Sequence, residues 1–398
     1  MDRRLRIGLF IDTFFPMIDG VVMVVDNYAR RMAATADVTV FAPESRDKSY
    51  EDHFPYRVVR CKCLDVGKLD YTLPIPALDF RFVDDLIHEQ LDIVHIHSPF
   101  TVGRMGLLYA QAHGIPAVAT MHSQYRQDFQ RTVKLEPLVD LLTHDVVNVF
   151  ARCDEAWAVN VSVARIFHED YGYPVLPRVQ NNATDLLPVP DRAAAGREIR
   201  ARYGIPAEVP LFLFVGRLNK LKNILFLADA LRVFRDRFGA FHMLFVGDGQ
   251  DREELLDRLA ADGLSDRVTL VPRVADREDL ARHYAAASLF LFPSLYDASS
   301  LVQIEAASQS LPGIFLRGAA TAATVEDGVS GLLSEHTPEA FAARIHDALD
   351  PALLPRLSEG AFAHLYRTYD DAVASALARY RELIAVKQPT FLSRLTGK

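Results

Sequence analysis

Little in this chain is sulfur-rich, basic or continuously apolar, and each shortage removes a class of function. Its cysteines number three, Cys61, Cys63 and Cys153, an odd set without regular spacing. A disulfide framework needs evenly paired cysteines, so this count fits a reducing compartment. Cys61-Lys62-Cys63 has no second pair to complete a metal site, and the alternation from Arg60 to Cys63 reads as strand packing. Acids outnumber lysine and arginine, leaving a net charge of −8, so no overall basic field recruits nucleic acid. No apolar run has the length of a membrane span. The early run Ile7–Ile11 is cut by Asp12, too soon for a signal peptide, and reads as a first buried strand. The expected location is the cytoplasm, with peripheral contact to the inner face of its membrane as a variant. Short-period repeats and low-complexity tracts are absent. So is the dinucleotide pattern G-x-G-x-x-G, and no acidic cluster suggests a metal.

What is present is a soluble globular composition, with 50% apolar and 24% charged residues. At 398 residues the chain exceeds one ordinary core, which favours two domains. Short apolar runs alternate with amphipathic stretches. Leu5–Ile11, Val38–Ala42, Ile93–Ile96, Ala117–Met121 and Glu155–Asn160 read as strands, with helices between them. The two prolines of Leu186–Arg192 break helix and sheet alike and read as a linker. The rhythm then restarts at Leu211–Val215, His242–Val246, Val268–Val271, Leu289–Phe292 and Ile314–Leu316. The fold class is α/β, two Rossmann-like domains in tandem. The expected boundaries are 1–187 and 188–369, with 370–398 packing back on the first domain.

Ligands of parallel α/β sheets bind beyond the carboxyl ends of strands, so the residues following each strand carry the functional reading. Gly20 stands where a helix begins, which lets backbone N–H groups approach a phosphate. His97 and His122 each follow a strand and are hydrogen-bonding candidates, His122 the stronger. Arg217 ends a strand and Lys222 follows at a helix start, a planar fork and a mobile point charge suited to a nucleotide diphosphate. Gly247 and Gly249 permit a tight turn and leave room for a ligand. In the segment Phe292–Ala306, Asp297 lies in a polar loop and Glu305 eight residues on in a helix. Backbone N–H groups of Ser300, Leu301 and Val302 would point at an anion, and a carboxylate suits the vicinal diol of a ribose. General acid/base work by the two acids is the rival reading. Tyr125, Arg126, Phe129, Arg131 and Lys134 interleave aromatic and basic residues, a pattern open to either an anionic lipid surface or an ordinary acceptor loop.

Taken in order, Asp12–Gly20, His122, Asn182–Asp185, Gly216-Arg217…Lys222, Gly247-Asp248-Gly249 and Asp297…Glu305 resemble the retaining glycosyltransferases of family 4, which have the GT-B fold. The resemblance covers most of the chain. It implies two domains facing a central cleft and a last helix, Tyr369–Val386, that crosses back to the first domain. It further implies a hexosyltransferase that takes a sugar from a nucleotide diphosphate, expected to be UDP-linked, without a metal, and passes it to a lipid or glycan acceptor. In this scheme Arg217 and Lys222 neutralise the phosphates, Gly20 approaches them, Glu305 holds the ribose and Asp297 meets the transferred sugar. His122 stands near the reacting sugar, and Arg273 falls where the family's backbone meets the base. The chain departs from the family at Asp297 (usually glutamate), at the loop Ala298-Ser299-Ser300 (usually glycine-rich), at Ser310, Gly313 and Ala323, and at Pro272. Two rivals stay open at this point: a nucleotide-sugar epimerase of similar fold, and a binding partner that keeps the fold without activity.

Overall fold

A computed structural model describes residues 3–64, 73–297 and 300–396. The chain divides into two compact units, one of residues 1–182 with 369–398 and one of residues 183–368. The boundary expected after Leu187 lies instead after Asn182, because residues 183–187 belong to the second unit. The backbone of Thr184 bridges Thr368, Leu186 is buried in the second unit's core, and Asp185 is ion-paired to Arg277.

The first unit holds strands β1 (Leu5–Phe10), β2 (Ala36–Pro43) and β3 (Arg57–Cys61), a small antiparallel pair β4 (Cys63–Leu64) and β5 (Leu73–Pro74), then β6 (Ile93–Ile96), β7 (Ala117–Met121), β8 (Glu155–Ala158) and β9 (Arg178–Val179). The main sheet runs β3-β2-β1-β6-β7-β8-β9, and all its pairings are parallel. Chain order reverses between β1 and β6, which opens a crevice at their carboxyl ends. β6 and β7 are buried at every residue, and their two polar side chains, His95 and Thr120, are bonded to each other at 2.7 Å. The helix Tyr369–Thr396 belongs to this unit. Its Tyr380 is fully buried, stacked on Trp157 and bonded to His95. Arg379 pairs with Glu155, and Lys387 with Asp154 at 2.8 Å.

The second unit contains β10 (Leu211–Val215), β11 (His242–Val246), β12 (Val268–Val271), β13 (Leu289–Phe292), β14 (Gly313–Leu316) and β15 (Gly331–Ser334). Their order is β12-β11-β10-β13-β14-β15, again all parallel, with the reversal between β10 and β13. The core is phenylalanine-rich: Phe212, Phe214, Phe245, Phe290 and Phe292 line the central strands. Rings on neighbouring strands pack at centroid distances of 5.5 Å (Phe214–Phe245) and 5.8 Å (Phe214–Phe292).

Candidate functional site

Both reversals carry residues singled out above. In the second unit the segment after β10 is held almost wholly by its own backbone. Gly216 N–H donates to Val246 O (3.0 Å), Leu218 N–H to Asp248 O (2.9 Å) and Lys220 N–H to the Asp251 carboxylate (2.7 Å). Gly247 and Gly249 make this possible. A Cβ at Gly247 would lie 2.0 Å from the Gly216 carbonyl oxygen, and one at Gly249 would lie 2.2 Å from that of Leu218. The room these glycines leave is therefore filled by the neighbouring loop, not by a ligand, a correction to the sequence reading. The exposed Arg217 guanidinium makes no hydrogen bond or ion pair among the described residues.

Asn219 caps the next turn by accepting from Lys222 N–H at 3.1 Å. Asn223 then takes the left-handed conformation, φ 60°, which asparagine tolerates, and its side chain donates to Pro293 O. This turn delivers Lys222 to the loop after β13. Its Nζ lies 2.5 Å from both Asp297 carboxylate oxygens and 5.5 Å from the Phe292 ring centroid. Ser294 Oγ donates a further bond to Asp297 at 2.8 Å. Ala298 and Ser299 lie outside the described residues. Ser300 is buried at the N-cap of the helix Leu301–Ser308, but no side chain caps that end, so the first N–H groups remain for another acceptor.

Glu305, on this helix, is 6% exposed. It is neither solvated nor merely packed in apolar neighbours. Arg277 donates to one of its oxygens (2.7 Å) and the Tyr284 hydroxyl to the other (2.9 Å). The same guanidinium nitrogen reaches Asp185 at 2.5 Å. Burial opposes the charge on Arg277, but Glu305 and Asp185 outweigh it and raise its pKa, so the cation is permanent. Burial and then Glu305 push the Tyr284 phenol well above its usual value, so it stays a donor. A carboxylate has about four lone-pair sites, and two are taken here, which leaves capacity for a diol. Arg273 sits exposed in the loop after β12.

In the first unit, β6 and β7 are sheet neighbours, and the residues that follow them meet. His97 Nδ1 and His122 Nε2 are 3.0 Å apart. Burial pushes the His122 pKa down to about 3 and lowers that of His97 well below the ordinary value, so both rings are neutral at pH 7. His95, not singled out above, is tied back into the unit by Tyr380 and by Thr120 Oγ1 at 2.7 Å. Gly20 is the exposed first residue of the helix Gly20–Met32. Asp19 caps this helix by accepting from Val22 N–H at 2.8 Å, so an anion is left the N–H groups of Gly20 and Val21. Asp12, beyond β1, braces the helix Thr101–His113 by accepting from Val102 N–H (2.8 Å) and Thr101 Oγ1 (3.0 Å).

The aromatic and basic stretch does not form a bare cationic surface. Tyr125 is buried against Phe100, Phe150 and Phe167. Arg126 is paired with Glu136 (2.8 Å) and Asp140 (2.9 Å), and Arg131 with Asp128. These acids neutralise Arg126 and Arg131, and of the three cations Lys134 is left exposed. Among the described residues no helix is long and apolar enough to cross a membrane, and no His/Cys/Asp/Glu group suits a metal.

Comparison with known proteins supplies the family. A model described as "Glycosyltransferase Family 4" matches residues 18–186, and one described as "Glycosyl transferases group 1" matches residues 209–350. An alpha-monoglucosyldiacylglycerol synthase of Acholeplasma laidlawii is 26% identical over 90% of this chain and 92% of its own. A D-inositol 3-phosphate glycosyltransferase of Thermobispora bispora is 33% identical over 72% of this chain and 69% of its own. The structure of Anabaena HepE in complex with UDP and glucose superposes with a TM-score of 0.71, covering 94% of this chain and 100% of that one at 18% identity. That likeness supports the fold, two parallel-sheet Rossmann-like domains of the GT-B class. With both units matched by family models and a relative aligned at 33% identity, the chain belongs to glycosyltransferase family 4 and is a hexosyltransferase.

Proposed function

We propose that this enzyme transfers a hexose from a UDP-linked donor to a hydroxyl of a lipid or glycan acceptor, with retention at the anomeric carbon and no resident metal. The observation that carries this reading is the Lys222–Asp297 pair at the β10/β13 reversal, with the unpaired Arg217 guanidinium on the same loop. A diphosphate draws Lys222 towards itself and releases Asp297 to accept from hydroxyls of the sugar. Arg217, Lys222 and the uncapped N–H groups at Ser300, Leu301 and Val302 stabilise charge as it grows on the leaving phosphate. Glu305, held by Arg277 and Tyr284, spends its remaining lone pairs on the ribose diol. Gly20 and Val21 offer N–H groups to the phosphates, and Arg273 lies at the strand end assigned to the base.

In the reaction the bond from the anomeric carbon to the β-phosphate oxygen breaks. The acceptor oxygen bonds that carbon on the same face, and its proton passes to the departing phosphate. His122 donates a hydrogen bond to the reacting sugar. The UDP preference is supported by HepE, whose structure contains UDP and glucose. A lipid acceptor is supported by one relative named for monoglucosyldiacylglycerol, and a hydroxyl-bearing acceptor more broadly by another named for D-inositol 3-phosphate.

The test is titration calorimetry with UDP-, GDP- and ADP-sugars, followed by transfer from the tightest binder to lipid and glycan extracts and assignment of the product anomer. Binding of UDP-sugars with transfer to one extract is expected. Interconversion of the donor without any acceptor would establish the epimerase instead. Binding with no transfer to any extract would establish the inactive partner, and an inverted product would overturn the retaining step.

A further inference from the structure

The His97–His122 contact has a consequence for what His122 presents to substrate. Both rings are buried, His97 at 1% exposure and His122 at 9%. Only one proton can occupy the 3.0 Å line between His97 Nδ1 and His122 Nε2, since two would collide and none would oppose two lone pairs. Two neutral arrangements satisfy this. In the first, His97 donates from Nδ1, its own Nε2 is bare, and His122 carries its proton on Nδ1. In the second, His122 donates from Nε2, His97 carries its proton on Nε2, and His122 Nδ1 is bare.

His97 Nε2 separates the two. It is fully buried and has no hydrogen-bond partner. Its surroundings are rings: His95, with centroids 4.0 Å apart, and Tyr28, edge-on at 6.2 Å. His95 offers it nothing, since both His95 nitrogens are already committed to Tyr380 and Thr120. The second arrangement strands an N–H donor among these rings. Buried orphan donors are rarer than under-satisfied acceptors. The first arrangement strands only a lone pair.

We infer that His97 is a positioning residue that donates to His122 Nε2 and so fixes His122 as the Nδ1–H tautomer, a neutral hydrogen-bond donor. The partner of one imidazole nitrogen sets what the other can do. His122 Nδ1 makes no hydrogen bond among the described residues, so this proton is available to an oxygen of the substrate. The role of that proton in transfer rests on the function proposed above; the tautomer itself does not.

Two readouts keep those claims apart. The first is the long-range 1H–15N correlation spectrum of the full-length protein labelled at histidine, with His122 assigned through His122→Gln. His122 is expected in the Nδ1–H form at neutral pH, and the Nε2–H form in the unsubstituted protein overturns the inference. In His97→Leu, which donates nothing to His122 Nε2, the Nδ1–H form is no longer held and the Nε2–H form is expected beside it. In His97→Asn, whose side-chain amide can place an N–H where Nδ1 stood, the Nδ1–H form should again be held. The second readout is kinetic. His97→Leu is expected to lower kcat about tenfold or more with donor KM little changed, and His97→Asn to recover most of that loss. Equal kcat losses in the two variants overturn the positioning role. Absence of transfer by the unsubstituted protein, with His122 still in the Nδ1–H form, would remove the proposed function and leave the tautomer standing.

Discussion

Replacing Arg277 by methionine tests the link between Glu305 and Asp185 most directly. The guanidinium is the only cation paired with Glu305 among the described residues, and it also holds Asp185. Removing one member of a fully buried pair costs about 3–5 kcal/mol, because a bare charge is left behind. Here the Glu305 side chain is 8% exposed but that of Arg277 is 38%, so water makes good part of the loss. Glu305 also keeps its bond from Tyr284. A cost of about 2 kcal/mol follows, which lowers the melting temperature of a unit this size by about 4–8 °C. Calorimetry of the full chain reads this directly. Adding Glu305→Gln removes the charge that needed a partner, and the amide oxygen still accepts from Tyr284. The double variant should therefore regain more than half of the loss. If the two substitutions instead destabilise additively, the ion pair is not what Arg277 contributes, and the reasoning fails.

Lys222→Met should lower kcat by about two orders of magnitude with an unchanged circular dichroism spectrum, the scale expected when a charge-stabilising group is removed from a transition state. Near-normal turnover would refute its phosphate role. Gly247→Ala should cost about 3 kcal/mol or more in chemical denaturation, because its Cβ meets the Gly216 carbonyl at 2.0 Å and its φ of 143° is strained for any other residue. Donor affinity should fall with it as the Arg217 loop is displaced. Asp12 gives a pH signature, since burial pushes its carboxyl from 3.8 up to about 6. The folded state then binds this proton more readily than the unfolded chain, so its contribution to stability is fully present below about pH 4. It is lost as pH rises towards 6, by at most about 3 kcal/mol. Asp12→Asn should flatten that part of the stability-versus-pH curve; an unchanged curve would refute the assignment.

The strands at the centre of each sheet were legible because parallel strands buried on both faces have no polar alternation to obscure them. β15 was missed: its four residues Gly-Leu-Leu-Ser carry too short an apolar signal beside a glycine. β9 was missed too, with only Arg178 and Val179 at a sheet edge. The positions of Arg217, Asp297 and His97 at the reversals were legible because each closely follows an apolar strand run in the sequence. The support around Glu305 was not, since Arg277 and Tyr284 lie on a different helix, 28 and 21 positions away. Likewise the spacing of Arg126 and Arg131 shows two cations. Only the fold brings Glu136 and Asp140 back from the following helix to neutralise Arg126.

The division of the chain has a consequence for its synthesis. Residues 183–368 are inserted within the first unit, whose last helix begins at Tyr369. During translation the second unit is therefore complete while the first still lacks the helix that supplies Tyr380, Arg379 and Lys387. The histidine that rests on Tyr380 is among the last to gain its partner. A stop codon ahead of residue 369 would leave the second unit whole and damage the unit encoded first. Conversely, the bridge between Thr184 and Thr368 closes the inserted unit at its own ends, which makes it a natural cassette for exchange between relatives.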